Sequence, residues 1–160
     1  MENQNKVRAD LRQLMPFFIV AFVGIIYHLR IRPMAGDDVF FSQATSELGL
    51  WNYLIQRYET WTSRFVIEFL LVWIIKYPIL WRLIDLTLFI LFPVLISKIF
   101  DGGKLMDWCA AAAVLLYPFL DMGTAGWITT TVNYFWPVWG MFFVGFLLKK
   151  MLVHKKINIV

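Results

Sequence analysis

Cysteine is almost missing from this sequence: Cys109 stands alone, so no disulfide can close within the chain and no cysteine metal cluster can form. Its place in the small-residue run Cys109-Ala110-Ala111-Ala112-Ala113 predicts a packed, inert thiol. Histidine is nearly as scarce, and His28 and His154 show no ligand spacing, so both read as incidental. No internal repeat, low-complexity tract or hydrophilic linker marks a second soluble domain, and residues 1–160 read as one membrane module. Charged residues make up only 16% of the chain; fifteen Lys and Arg against eleven Asp and Glu leave a net +4. The basic residues punctuate apolar runs instead of forming one patch, which excludes a nucleic-acid partner. An Ala-x-Ala cleavage signal is also lacking: Pro33-Met34-Ala35-Gly36 follows the first apolar run, so that run reads as an uncleaved signal anchor.

What fills the sequence is apolar: 60% of residues are hydrophobic and 18% aromatic, with a mean hydropathy of +0.65. A soluble core cannot hide that proportion, since soluble domains are only about half apolar. The expected fold is all-α, a polytopic transmembrane helix bundle of about four spans with the lipid bilayer as its first partner. The spans are expected at about 14–31, 79–99, 106–121 and 133–149. Phe65 to Ile75 is apolar but short and carries Glu68.

Positive charge orients the spans. Lys6, Arg8 and Arg12 precede the first, Lys98 and Lys104 flank the central loop, and Lys149, Lys150, Lys155 and Lys156 crowd the end. All three groups are expected on the cytoplasmic face of the cell membrane, with the N-terminus and C-terminus both cytoplasmic. The crossings are then even in number, and Phe65 to Ile75 lies along the outer surface. The outer loop 32–78 carries juxtamembrane helices, with Phe40, Phe41, Ala44 and Leu48 at helical spacing, and a second outer loop covers 121–133.

Chemistry-bearing residues gather in these two loops. Asp37 and Asp38 follow the turn formers Pro33 and Gly36, and paired carboxylates can act as a base or hold a divalent cation. Glu59, Trp61 and Arg64 combine a carboxylate, an aromatic face and a guanidinium, which suits sugar rings and phosphate oxygens. Arg82 and Asp85, three apart on one helical face, are expected to pair. Trp127, Thr130, Asn133 and Tyr134 bring hydroxyl, amide and aromatic groups to the second loop, where they either bind a polar ligand or satisfy the turn's own backbone.

The order Gly36-Asp37-Asp38, then Tyr58-x-x-Trp61-x-x-Arg64, then Tyr77-Pro78-Ile79-Leu80-Trp81 resembles the GT-C superfamily of polytopic membrane glycosyltransferases. The stretch Gly126-Trp127-Ile128-Thr129-Thr130-Thr131-Val132-Asn133-Tyr134-Phe135-Trp136-Pro137 looks like a motif of bacterial members near the GtrII-type glucosyltransferases. The resemblance implies transfer of a sugar from a polyprenyl-phosphate carrier at the outer membrane face, in cell-surface polysaccharide synthesis or modification. It maps the base or metal-ligand role onto Asp37 and Asp38, and carrier-phosphate binding onto Arg64, with Arg82 second. It covers only the N-terminal part of such enzymes, whose later helices complete the carrier groove, so a partner membrane subunit or self-association is implied. Two other expectations stand beside it: a non-enzymatic small membrane protein, such as a lipid-linked sugar translocator or assembly partner, and a truncated inactive fragment.

Overall fold

A computed structural model describes the backbone of residues 2–119 and 124–157 and the side chains of 13–119 and 124–153. The side chains of Lys6, Arg8, Leu11, Arg12, His154, Lys155 and Lys156, and all of residues 120–123 with Asp121, lie outside the described residues. Every described regular element is helical: α1 (Glu2–Arg30), α2 (Asp37–Gln43), α3 (Gly49–Thr60), α4 (Phe65–Ile74), α5 (Pro78–Phe100), α6 (Gly103–Leu115), α7 (Ile128–Thr130), a π-helical turn (Thr131–Phe135) and α8 (Trp136–Ile157). The all-α class expected from composition is the class observed.

Three segments are long and apolar enough to cross a membrane: Gln13–Arg30, Pro78–Phe100 and Ile128–Val153. With 18, 23 and 26 residues they span about 27, 35 and 39 Å, against a hydrocarbon core of about 30 Å. Leu14, Phe18, Phe22 and Ile25 stand exposed along one face of α1, as do Val138, Met141, Val144 and Leu148 on α8. Such stripes suit lipid and have no use in water. Helix α6 has 13 residues, about 20 Å, so the segment expected as a third span is a shorter helix over its described part. Helix α4 keeps nearly the expected bounds and, at 10 residues, is about 15 Å long, half the hydrocarbon thickness.

The last span starts earlier than sequence placed it. Residues 128–133, expected in a loop, are helical, and two of their polar side chains bond inside the helix. Thr131 Oγ1 donates to the Ile128 carbonyl at 3.3 Å and Asn133 Nδ2 to the Thr129 carbonyl at 2.8 Å. The π-helical turn then leads into Pro137, which has no N–H and whose ring crowds the carbonyl four residues back.

The chain divides into two compact units. One gathers the described residues of 1–26, 86–117 and 138–160. In it Gly24 admits the Phe89 ring, since a Cβ at that position would lie 2.8 Å from Phe89 Cδ1, and Phe92 meets Phe142 edge to face at 5.3 Å. Lys149 donates to the Lys98 and Ile99 carbonyls at 3.0 and 2.8 Å and pairs with Asp101, a cation on the orphan carbonyls at the end of α5. Cys109 is exposed, contrary to the packed thiol expected, because α6 turns Asp107, Ala110, Ala111 and Val114 inward and Cys109 falls outside that stripe.

The other unit gathers the described residues of 27–85 and 118–137. Its α2, α3 and α4 pack around Tyr53, Leu54 and Val72, with Phe41, Ala44, Leu50, Phe65 and Phe69 against them. Gly49, with φ of 72°, makes the bend that opens α3.

Candidate functional site

Within the second unit, the segment before α2 turns at Gly36, whose φ of 52° is left-handed. A Cβ there would fall 1.9 Å from the tip of the Trp127 indole, so only glycine fits both the turn and the ring. Two residues on, Asp38 is fully buried. Its Oδ2 accepts from the Met34 and Ile128 amides, each at 3.2 Å, and its Oδ1 from the Thr129 amide at 2.8 Å. One carboxylate thereby ties the turn before α2 to the first amides of α7, which have no partner within their own helix.

Asp37 is exposed and lines a cleft of about 390 Å³ together with Phe40 and Phe41 of α2. Arg57, Trp61 and Arg64 line it from α3 and the turn beyond, and Glu68 from α4. Thr129, Thr130, Asn133 and Tyr134 complete it from α7 and the π-helical turn. The volume falls in the range of small-molecule pockets. Arg64 is headed by Thr62, whose hydroxyl oxygen accepts from its backbone N–H at 3.2 Å and from its Nε at 3.1 Å.

Deeper in the cleft, Arg57 Nη2 donates to Glu68 Oε1 at 3.2 Å, with the side chains 19% and 2% exposed. The Arg57 guanidinium also lies 5.6 Å from the ring centres of both Phe41 and Trp61, so one cation joins α3 to α2 and α4. Several polar atoms here nonetheless have no partner: Arg57 Nε, Glu68 Oε2, Thr129 Oγ1, Asn133 Oδ1 and, beside them, the Tyr53 hydroxyl. An unmet buried polar group costs about 1–3 kcal/mol, so their concentration in one place calls for a cause. Burial pushes the Tyr53 phenol up to about 12, and the charge of Glu68 adds to the effect.

The residues singled out from sequence separate into two groups. Asp37, Trp61, Arg64, Thr130, Asn133 and Tyr134 share the cleft, while Asp38, Glu59, Arg82 and Trp127 do not line it. Asp38 is engaged by backbone amides, Glu59 is exposed, and Trp127 packs on Gly36. The expected Arg82–Asp85 pair is replaced by other partners. Arg82 donates to the His28 and Ile31 carbonyls, covering the C-terminal end of α1 where a cation is favoured. Asp85, fully buried, accepts from His28 Nε2 at 3.0 Å and Trp136 Nε1 at 2.6 Å. His28 is therefore a buried partner of Asp85 and not incidental, its ring 4.8 Å from that of Phe119.

Sequence reasoning assigned no role to Arg57, and none to Glu68 beyond noting its charge. The signal was that lone carboxylate in an apolar run, which demands a partner. Among the described residues no three His, Cys, Asp or Glu side chains gather as a metal group. With Asp38 turned to three amides, Asp37 is left as a single exposed carboxylate, and this donor set does not fit a divalent cation.

Fold and cleft define a class: an all-α membrane protein with a polar cleft lined by carboxylate, guanidinium, amide and hydroxyl groups. No protein-family model matches the sequence, and no curated protein or solved structure matches it either.

Proposed function

We propose that the chain is a GT-C-like membrane glycosyltransferase module that takes a sugar from a polyprenyl-phosphate carrier at the outer membrane face, serving cell-surface polysaccharide synthesis or modification. The observation that carries this reading is one exposed carboxylate, Asp37, sharing a cleft with two guanidinium side chains and the Trp61 ring. In this scheme Arg64 holds the carrier phosphate and Trp61 stacks on a sugar face. Asp37 takes the proton from an acceptor hydroxyl, and that oxygen attacks the anomeric carbon. The bond from the anomeric carbon to the phosphate oxygen breaks, and the phosphate leaves with the electron pair, met by the guanidinium. No step runs through a metal ion. The termini are taken as cytoplasmic.

The test is transfer from an undecaprenyl-phosphate-linked sugar to an added saccharide acceptor by the full chain in proteoliposomes, read as release of the carrier phosphate. Wild type is expected to release it, and Asp37→Asn to lose release while binding the donor. Undiminished release by Asp37→Asn overturns the scheme. The engagement of Asp38 by three amides favours a second reading, a non-enzymatic carrier of lipid-linked sugar, which predicts binding by wild type without release.

A further inference from the structure

In the first unit a cavity of about 580 Å³ opens where α5 ends and α6 begins. Gln13, in its wall, is the first residue of the apolar stretch of α1, and that of α5 closes at Phe100, so the cavity lies where hydrocarbon gives way to headgroups. Leu14, Phe17 and Val94 give it apolar walls, and Ser97, Lys98, Asp101 and Asp107 supply its polar groups. Asp107 is only 6% exposed. The Ser97 hydroxyl donates to its Oδ1, and among the described residues no donor meets its Oδ2 and no cation pairs with it. Unlike the unmet atoms around Glu68, Oδ2 keeps accessible surface, and the cavity is what it faces. Asp101 is answered by Lys149, while Lys104, three residues before Asp107, is exposed and does not pair with it. A carboxylate this deep in an apolar bundle calls for a cation. Lys98, exposed at the rim, has no carboxylate partner among the described residues.

These two unanswered charges select among the ligands a membrane offers. A divalent cation finds one free carboxylate beside an ammonium. An anionic headgroup suits Lys98 and is repelled by Asp107. A choline headgroup brings a cation that has no N–H to donate. A primary ammonium on a phosphate ester brings three N–H donors for Asp107 and phosphate oxygens for Lys98. Acyl chains attached to it lie on Leu14, Phe17 and Val94 and, one turn back along α5, on exposed Leu91. We infer that the cavity is a site for one phospholipid with a primary-ammonium headgroup, phosphatidylethanolamine, its ammonium on Asp107 and its phosphate on Lys98. This lipid is a resident partner of the first unit, and not the sugar donor of the cleft in the second.

The test titrates the full chain in detergent with phosphatidylethanolamine, its N-methyl and N,N-dimethyl forms and phosphatidylcholine, all with the same acyl chains, and counts bound lipid by native mass spectrometry. Wild type is expected to hold one phosphatidylethanolamine, with affinity falling about tenfold across the series as the N–H donors are lost, the worth of one charged hydrogen bond. Asp107→Asn keeps an acceptor for Ser97 and removes the charge, so it is expected to lose this preference and to bind phosphatidylcholine as wild type does. Lys98→Gln is expected to weaken all four lipids alike, since they share the phosphate. A flat series in wild type overturns the inference, and so does a preference that Asp107→Asn retains. The wild-type series decides by itself if Asp107→Asn does not fold. Glycerophosphoethanolamine, the headgroup without chains, is expected not to compete at equal concentration, and competition at that level overturns the lipid as the occupant.

Discussion

Asp37 and Asp38 are adjacent in sequence and opposite in role, and exchanging each for asparagine separates the roles. Asp38 is fully buried and accepts three backbone N–H bonds, two at 3.2 Å on Oδ2 and one at 2.8 Å on Oδ1. An asparagine amide has one oxygen, so either Met34 and Ile128 or Thr129 must face an NH2 group. Hydrogen bonds to a charged acceptor are worth roughly 1.5–3 kcal/mol each, which puts Asp38→Asn at about 2–4 kcal/mol of destabilisation. At about 2–4 °C per kcal/mol for a chain of this size, the melting temperature falls by roughly 5–15 °C. Asp37 is exposed and belongs to the cleft, so Asp37→Asn is expected to melt close to wild type. Intrinsic fluorescence of the eight tryptophans during a thermal ramp in detergent reads both variants. A thiol-reactive dye does not serve, because Cys109 is exposed in the folded protein. Equal melting of the two variants, or a larger loss from Asp37→Asn, would refute the division of the acid pair.

Three further perturbations follow from the same unit. Arg57→Met is expected to cost about 3–5 kcal/mol because it leaves Glu68 buried without its cation, and the double variant Arg57→Met with Glu68→Leu is expected to recover most of that loss in the same thermal assay. Folding raises the Tyr53 phenol from 10.0 to about 12; its contribution is complete below pH 10 and is lost as pH climbs through about 12, a change on the order of 2–3 kcal/mol. Melting temperatures between pH 9 and 12 should show this fall, and Tyr53→Phe should flatten it. Gly36→Ala combines a left-handed backbone with a Cβ 1.9 Å from Trp127, so it should cost more than the roughly 1–3 kcal/mol of backbone strain alone and shift the Trp127 emission.

Much of the fold could be read from one-dimensional patterns, because membrane helices announce themselves by length and apolarity. The α4 segment is bounded within a residue of its expected ends, and Pro33 and Gly36 do mark the turn before α2. Six of the ten candidate residues meet in one cleft because Asp37, the Trp61–Arg64 turn and the Thr130–Tyr134 stretch flank helices that pack in one unit. What escaped sequence reading depends on long-range partners. His28 and Asp85 stand 57 residues apart, and Asp38 and Thr129 stand 91 apart, so neither bond has a local signature. The Arg82–Asp85 spacing was suitable for a pair, but the carbonyls at the end of α1 and the imidazole of His28 offered each a better-placed partner. The Thr129–Asn133 stretch reads as a loop by composition, but it is helical, with Thr131 and Asn133 bonding back within the helix and Asp38 meeting the Ile128 and Thr129 amides at its start.

The central claim is that the cleft of the second unit receives a lipid-linked sugar, and photo-crosslinking tests it most directly. A polyprenyl-phosphate hexose bearing a diazirine on the sugar is irradiated with the full chain in nanodiscs, and the labelled peptides are mapped by mass spectrometry. The account predicts label at residues 57–68 and 129–134, displaced by unlabelled donor. Label confined to the exposed apolar faces of α1 and α8, or label that excess donor does not displace, would contradict it.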